Sequence, residues 1–337
     1  MKKSILKEYA HLIASTGVNI QKGQDVVITA SFDQIEFIRM LVNECYKCGA
    51  RDVLVLWNDP TLTIYNYKYK SLEDLSSLNK WQLERWQYWH DTLPCRIYIE
   101  SDDPEALTKI NVDKYGKASK ELTKIIRSFR NDMDEKYQWC IAGVPSVGWA
   151  KKVFPNLTKA KAVEALWELI LKVSRAYEGD PVKNWEEHDN NLHEKMKILN
   201  SLNLRELHYH NSLGTDLTIG LIPDVIWLGG GESTMKTKVY FQPNIPSEEL
   251  FTSPMKGKAE GIVYASKPLC YRGQLIEDFW FKFHEGKVIE YGAKKGKELL
   301  TQMLEVDENA SYLGEAALIP FDSPINNTGV LFYSTLL

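Results

Sequence analysis

The sequence predicts a mixed α/β protein: an N-terminal α/β sandwich over residues 1–203, then a β-rich α+β domain over residues 204–337. Three observations lead there. Roughly the first 145 residues alternate short apolar runs with helical stretches, the pattern of a mostly parallel sheet covered on both faces. The next stretch keeps a helical period. After Asn200 the hydrophobic period shortens to two, as in an antiparallel or mixed sheet. A chain of 337 residues also exceeds the usual single core, so two domains are expected.

In the first region Asp25–Ala30, Asp52–Trp57, Arg96–Ile99 and Gln138–Ala142 are expected as buried strands. Ser31 and Gln34 have capping-box spacing for the next helix. That helix carries Ile35, Ile38, Val42 and Cys45 on one stripe and stops near Gly49. From Lys159, positions Val163, Leu166, Trp167, Ile170, Val173 and Tyr177 hold a helical period that Gly179 and Pro181 end. A second helix is expected over 182–199, with Trp185, Leu192, Met196 and Leu199 in register. Beyond it, Glu206–His210, Thr215–Gly220, Lys236–Phe241, Gly261–Tyr264 and Phe279–Phe283 alternate between Gly-rich or polar turns and are expected as strands.

Composition narrows the function. With 44% hydrophobic residues, ten Trp and seventeen Tyr the chain can bury a large core. A formal net charge of -4 gives no electrostatic case for nucleic acid or an anionic membrane surface as partner. No apolar run approaches the ~20 residues that span a bilayer, and Lys7 and Glu8 interrupt any signal-peptide core. A cytoplasmic location is expected. Five dispersed cysteines do not make a disulfide framework.

The chemistry concentrates in Asn244-Ile-Pro-Ser-Glu-Glu-Leu-Phe-Thr-Ser-Pro254. Pro246 and Pro254 disfavour a helix, so Glu248 and Glu249 lie on an extended segment whose alternation sends them to opposite faces. One can enter the interior, where a carboxylate requires a cation or a donor. Of the two, Glu248 is read as the solvated one.

This run is flanked by Trp227-Leu-Gly-Gly-Gly231 before it and Ser266-Lys-Pro-Leu269 and Ile276-Glu-Asp-Phe279 after it. Tyr312-Leu-Gly-Glu315, Asp322-Ser-Pro-Ile325 and Gly329-Val-Leu-Phe-Tyr333 come next. In order and spacing the set resembles the thermophilic-type metallo-aminopeptidase family, that of aminopeptidase T, aminopeptidase S and PepS. The likeness runs from about Trp149 to the end, with a looser fit before it.

The resemblance implies removal of N-terminal amino acids from peptides by water activated at two divalent ions, zinc, cobalt or similar. It implies Glu249 and Glu315 as metal ligands, Glu315 bridging, and a homodimer. Lys267 is the basic residue singled out for contact with substrate or with the ligands, and Glu248 is the alternative acid behind them. The family pattern continues beyond the segment Leu331–Leu336 with a ligating His and a catalytic Tyr, then a further His and an Asp. None falls within these residues, so no catalytic residue is assigned, and weak metal binding with little turnover is expected. The alternative is an inactive remnant or peptide-binding scaffold with the same fold. A nucleotide-binding oxidoreductase rests only on the sheet pattern and Gly229–Gly231.

Other candidates take blander roles. His208 and His210 share one strand face and are read as a structural or surface pair. His188 and His193 stand five apart, the wrong spacing for one helical face, and are read as non-catalytic. Cys45 and Cys48 have no second pair to complete a zinc cage, and Cys45 belongs to an apolar stripe. Thr234 stands where a dinucleotide loop needs its last glycine, so Gly229–Gly231 is read as a tight turn.

Overall fold

Helix α1 (Lys3–Leu12) buries Tyr9, Ala10 and Leu12 and runs on into a π turn, Ile13–Gly17. The structure is a computed structural model that describes residues 1–337. The first apolar run is strand β1 (Asp25–Ser31), succeeded by a short 3-10 turn and helix α2 (Ile35–Lys47). The expected capping box does not form. The turn Phe32–Gln34 separates Ser31 from α2, and the Gln34 side chain instead donates to the Pro145 carbonyl at 2.6 Å. The buried stripe of α2 is Phe37, Ile38, Leu41 and Cys45.

Strand β2 (Asp52–Asn58) leads to α3 (Pro60–Tyr69), where Asp59 accepts from the Thr61 and Leu62 amides and Pro60 opens the helix. The chain continues through α4 (Leu72–Leu75), α5 (Lys80–Thr92), β3 (Cys95–Glu100), α6 (Val112–Met133) and β4 (Trp139–Gly143). These four strands run in parallel in the order β2-β1-β3-β4, with Val27 level with Leu54 on one side and Arg96 on the other. The expectation of a buried β2 is corrected: the strand has β1 as its one neighbour, and Leu54 and Trp57 are exposed.

Helices α7 (Val147–Val153) and α8 (Lys159–Val173) come next. The latter stops earlier than the apolar period suggests. Arg175 turns into the left-handed region at φ 55, and the freed Ser174 carbonyl is met at 2.7 Å by the indole N–H of buried Trp185. Helix α9 (Pro181–Ser201) carries that tryptophan.

Strands β5 (Glu206–His210) and β6 (Asp216–Leu221) form the expected antiparallel pair. Three short strands succeed them, β7 (Glu232–Ser233), β8 (Tyr240–Phe241) and β9 (Asn244–Ile245). Of the strand expected at 236–241 only its last two residues are extended. Lys238 sits at φ 53, and Thr234 folds the segment into a turn by accepting from the Val239 amide. Strand β9 adds to the N-terminal sheet as a fifth parallel strand beside β4.

The remainder comprises β10 (Leu250–Thr252), β11 (Pro254–Tyr264), β12 (Leu269–Tyr271), β13 (Gln274–Ile276), β14 (Trp280–His284) and β15 (Lys287–Gly292). Then come α10 (Lys297–Leu304), β16 (Ala316–Leu318) and α11 (Pro324–Asn327). An antiparallel sheet β15-β14-β11-β6-β5 encloses a core of Leu217, Ile219, Ala259 and Phe283, while β10 pairs with β16.

The chain divides into two compact units. One is Met1–Glu186 with Gly231–Ser247 and Leu336; the other is Glu187–Gly230 with Glu248–Thr335 and Leu337. The mixed architecture, a parallel sheet flanked by helices and a separate antiparallel sheet, is the one the sequence predicts. No helix is long and apolar enough to cross a membrane.

Candidate functional site

The two glutamates singled out by sequence lie in the second unit, at opposite ends of the short β10–β16 ladder. Its register is Leu250 with Leu318, Phe251 with Ala317 and Thr252 with Ala316. Glu249 is two residues before Phe251, and Glu315 is two before Ala317. Because side chains alternate along a strand, both glutamates belong to the face that carries the Phe251–Ala317 pair. Their charges interact there. Burial first, and the Glu315 carboxylate second, hold the Glu249 carboxyl above the ordinary glutamate range. Glu315 is the more exposed of the two.

Glu248 belongs to the other face, and here the sequence reading is corrected. It is 8% exposed rather than solvated, and its Oε1 lies 4.0 Å from the His188 Nε2 on α9, whose side chain is also enclosed. The neighbouring Leu250 is buried with Leu192, Leu221 and Trp227 in one apolar cluster, so the alternation that sends Glu249 outward sends Glu248 inward.

A ledge that sequence reasoning passed over as a plain turn fixes the backbone of Glu249. Leu228 and Phe251 exchange two backbone hydrogen bonds of 2.8 Å, and Thr252 Oγ1 donates to the Ile226 carbonyl at 2.9 Å. Asn200 on α9 grips Trp227 from both sides, accepting from its amide at 2.7 Å and donating to its carbonyl at 3.2 Å. The Glu249 peptide then lies directly on Gly229: a Cβ added there would stand 2.7 Å from the Glu249 carbonyl oxygen and 2.5 Å from Leu250 Cδ2. At Gly230, with φ +74, a Cβ would meet Asp189 Oδ1 at 2.4 Å. The residues that sequence reading missed are thus Asn200 and Asp189, and the part it did not see in Gly229 and Gly230 is their close approach to Glu249 and Asp189. The triple glycine was their only signal.

The other candidates have surroundings of their own. His208 and His210 alternate outward on β5, and His208 Nε2 is 2.7 Å from Asp216 Oδ1. Cys45 is buried in the first unit, and burial pushes its thiol up to about 12, far from a reactive thiolate. Lys267 is exposed and lines a pocket with Leu269, Cys270 and Tyr333, among others.

The comparisons with known proteins decide the family. The model of the thermophilic metalloprotease (M29) family matches residues 2–337. The chain belongs to that family. It is 38% identical over 332 residues to aminopeptidase AmpS of Bacillus subtilis (strain 168), covering 98% of this chain and 80% of that relative. It is 36% identical over 332 residues to aminopeptidase T of Thermus aquaticus, covering 98% of this chain and 81% of that one. Its structure resembles wild-type AmpT from Thermus thermophilus with a TM-score of 0.89 at 35% identity, over 99% of this chain and 82% of that chain. The chain is therefore a member of an enzyme family, one of metallopeptidases, and divalent-metal use comes with membership.

The residues present fit one edge of a metal centre. Two carboxylates are hard oxygen donors suited to a divalent ion, and a cation bound at this face would offset the burial and the Glu315 charge that together raise Glu249. No group of three or more His, Cys, Asp or Glu side chains converges to hold an ion, so the pair does not close a coordination shell by itself.

Proposed function

We propose that the chain acts as a metallo-aminopeptidase, releasing N-terminal amino acids from peptides, with Glu249 and Glu315 as metal ligands. The observation that supports this reading is the register that assigns Glu249 and Glu315 to one face of the β10–β16 ladder, with the Glu315 charge second to burial in raising the Glu249 carboxyl. The names of the relatives supply the reaction class. When bound, divalent ions supply a polarised peptide carbonyl and a water acidic enough to attack it near neutral pH. The chain's own part is to hold two oxygen donors on one face. It does so by laying the Glu249 peptide on Gly229 and sinking Glu248 into the interior beside His188.

Two ions of the zinc or cobalt type, a peptide substrate, a homodimer and a cytoplasmic location complete the reading. The five free cysteines suit a reducing compartment. Lys267, exposed at a pocket, is kept as the substrate-contacting candidate.

The test is release of free amino acid from an unblocked peptide and from its N-acetylated form, with added cobalt or zinc. The reading expects metal-dependent release from the unblocked peptide alone, abolished in Glu249→Gln and in Glu315→Gln. Because no group of three or more metal-ligating side chains gathers, a second reading also stands: a scaffold that binds peptides without cutting them. Peptide binding with no metal-dependent release, unchanged in both variants, would select it.

A further inference from the structure

In the first unit two guanidinium groups share one aromatic cage and carry buried N–H groups without acceptors. Arg96 is the second residue of β3 and is 5% exposed. Its guanidinium lies 4.7 Å from the Trp89 ring centroid, 5.1 Å from Trp86 and 5.2 Å from Tyr137. Its Nε and Nη2 are buried with no hydrogen-bond partner. Arg85 on α5 lies over the same Trp89 at 4.8 Å and over Trp81 at 5.1 Å, and its Nε is likewise buried and unpartnered.

Ring faces compensate a buried cation only in part, and an unpaired charge in a low-dielectric site is costly. Here two like charges press on one indole. Burial, then the charge of Arg96, pulls the Arg85 pKa below its usual range. Burial first, then Tyr98, raises the Tyr137 phenol, and Arg96 opposes the rise. The aromatic walls are closed around Arg96, whereas Trp81, which covers Arg85, is 58% exposed.

We propose that Arg85 and Arg96, with Trp81 as the outer cover, form a binding site for a small oxyanion, a phosphate or a carboxylate. Arg85, the outward member, takes two anion oxygens in its planar fork. Arg96 beneath Trp89 adds a second positive charge at short range through a medium that screens poorly. The anion supplies acceptor oxygens to Arg85 and negative charge against both guanidiniums. This site is independent of the glutamate pair and of any peptidase activity.

The experiment is thermal unfolding of the full chain in sodium phosphate, sodium acetate and sodium chloride at matched ionic strength, with phosphorus NMR line widths for the phosphate arm. A saturable rise in midpoint with phosphate or acetate over chloride is expected, and whichever anion produces it names the source. Phosphate also stabilises proteins generally by exclusion from their surfaces. That effect would persist in Arg85→Gln, whereas site binding is lost there. Arg85→Lys, which keeps the charge but not the fork, is expected to bind about tenfold more weakly. Equal midpoints in all three salts, or an undiminished anion response in Arg85→Gln, would overturn the proposal.

Discussion

Replacing Gly229 by alanine puts one methyl group where the Glu249 segment already lies. The added Cβ would stand 2.7 Å from a backbone oxygen and 2.5 Å from Leu250 Cδ2, against about 3.4 Å for ordinary contact. Leu250 can rotate its methyl aside. The Glu249 carbonyl cannot, because two residues later the Leu228–Phe251 hydrogen bonds hold the strand at 2.8 Å. The strand must therefore move by about 0.7 Å or the bonds must lengthen. Overpacking of this kind costs ~1–3 kcal/mol, and the stiffer unfolded chain returns ~0.4–1 kcal/mol. The net loss, up to about 2.6 kcal/mol, lowers the unfolding midpoint by up to roughly 8 °C in a domain of this order of size. Gly314 is the internal control: its added Cβ meets nothing within 4 Å and its φ lies outside the left-handed region, so Gly314→Ala is expected to be neutral or slightly stabilising. Calorimetry of both variants beside the parent decides the matter. A Gly229→Ala midpoint equal to or above that of Gly314→Ala would show that the ledge does not bear on Glu249.

Two further outcomes rest on the same geometry. Glu315→Gln removes a like charge from Glu249, so without added metal it should be more stable than the parent by under about 1 kcal/mol at neutral pH. The sign comes from linkage. A carboxyl whose pKa is raised by folding contributes stability fully below its unfolded value and loses it as pH rises through the folded value. The gain should thus appear above the glutamate range and vanish in acid, which chemical denaturation at several pH values will measure. Trp185→Phe keeps most of the ring but deletes the 2.7 Å bond to the Ser174 carbonyl at the end of α8. It should cost about 1–3 kcal/mol, since that buried carbonyl loses its indole donor. Faster amide exchange confined to the last turn of α8 would support it, and an unchanged stability would refute it.

Much of the N-terminal sheet was legible because its strands are continuous apolar runs, and β1, β3 and β4 fall where those runs lie. Strand β2 is equally apolar in sequence yet exposed, because which strand stands at the edge is a matter of topology. The failed strand at 236–239 has the same lesson at short range. Its alternation is that of a strand, but the Thr234 hydroxyl captures the Val239 amide, a local bond that competes with sheet pairing. Strand β9 could not be read at all, being two residues long and paired with a strand about a hundred positions earlier.

The candidate site divides in the same way. The family resemblance singled out Glu249 and Glu315, whereas the reading of the adjacent glutamates mistook which is enclosed, because alternation fixes that they differ and not which faces inward. That choice belongs to Leu250, whose burial with Trp227 and Leu192 commits the even-numbered face of the segment to the interior. Glu248 is carried in with it, to within 4.0 Å of His188, and Glu249 is left on the face shared with Glu315. The protein thus keeps one carboxylate enclosed and holds a second in the field of a third. Packing enforces the enclosure, since the apolar cluster around Leu250 outweighs the discomfort of one buried acid. On the open face no group of three or more metal-ligating side chains forms around the two like charges. Under the proposed function this is the work of the fold: the apolar side of β10 fixes the orientation, and the charged side is left for a cation to relieve.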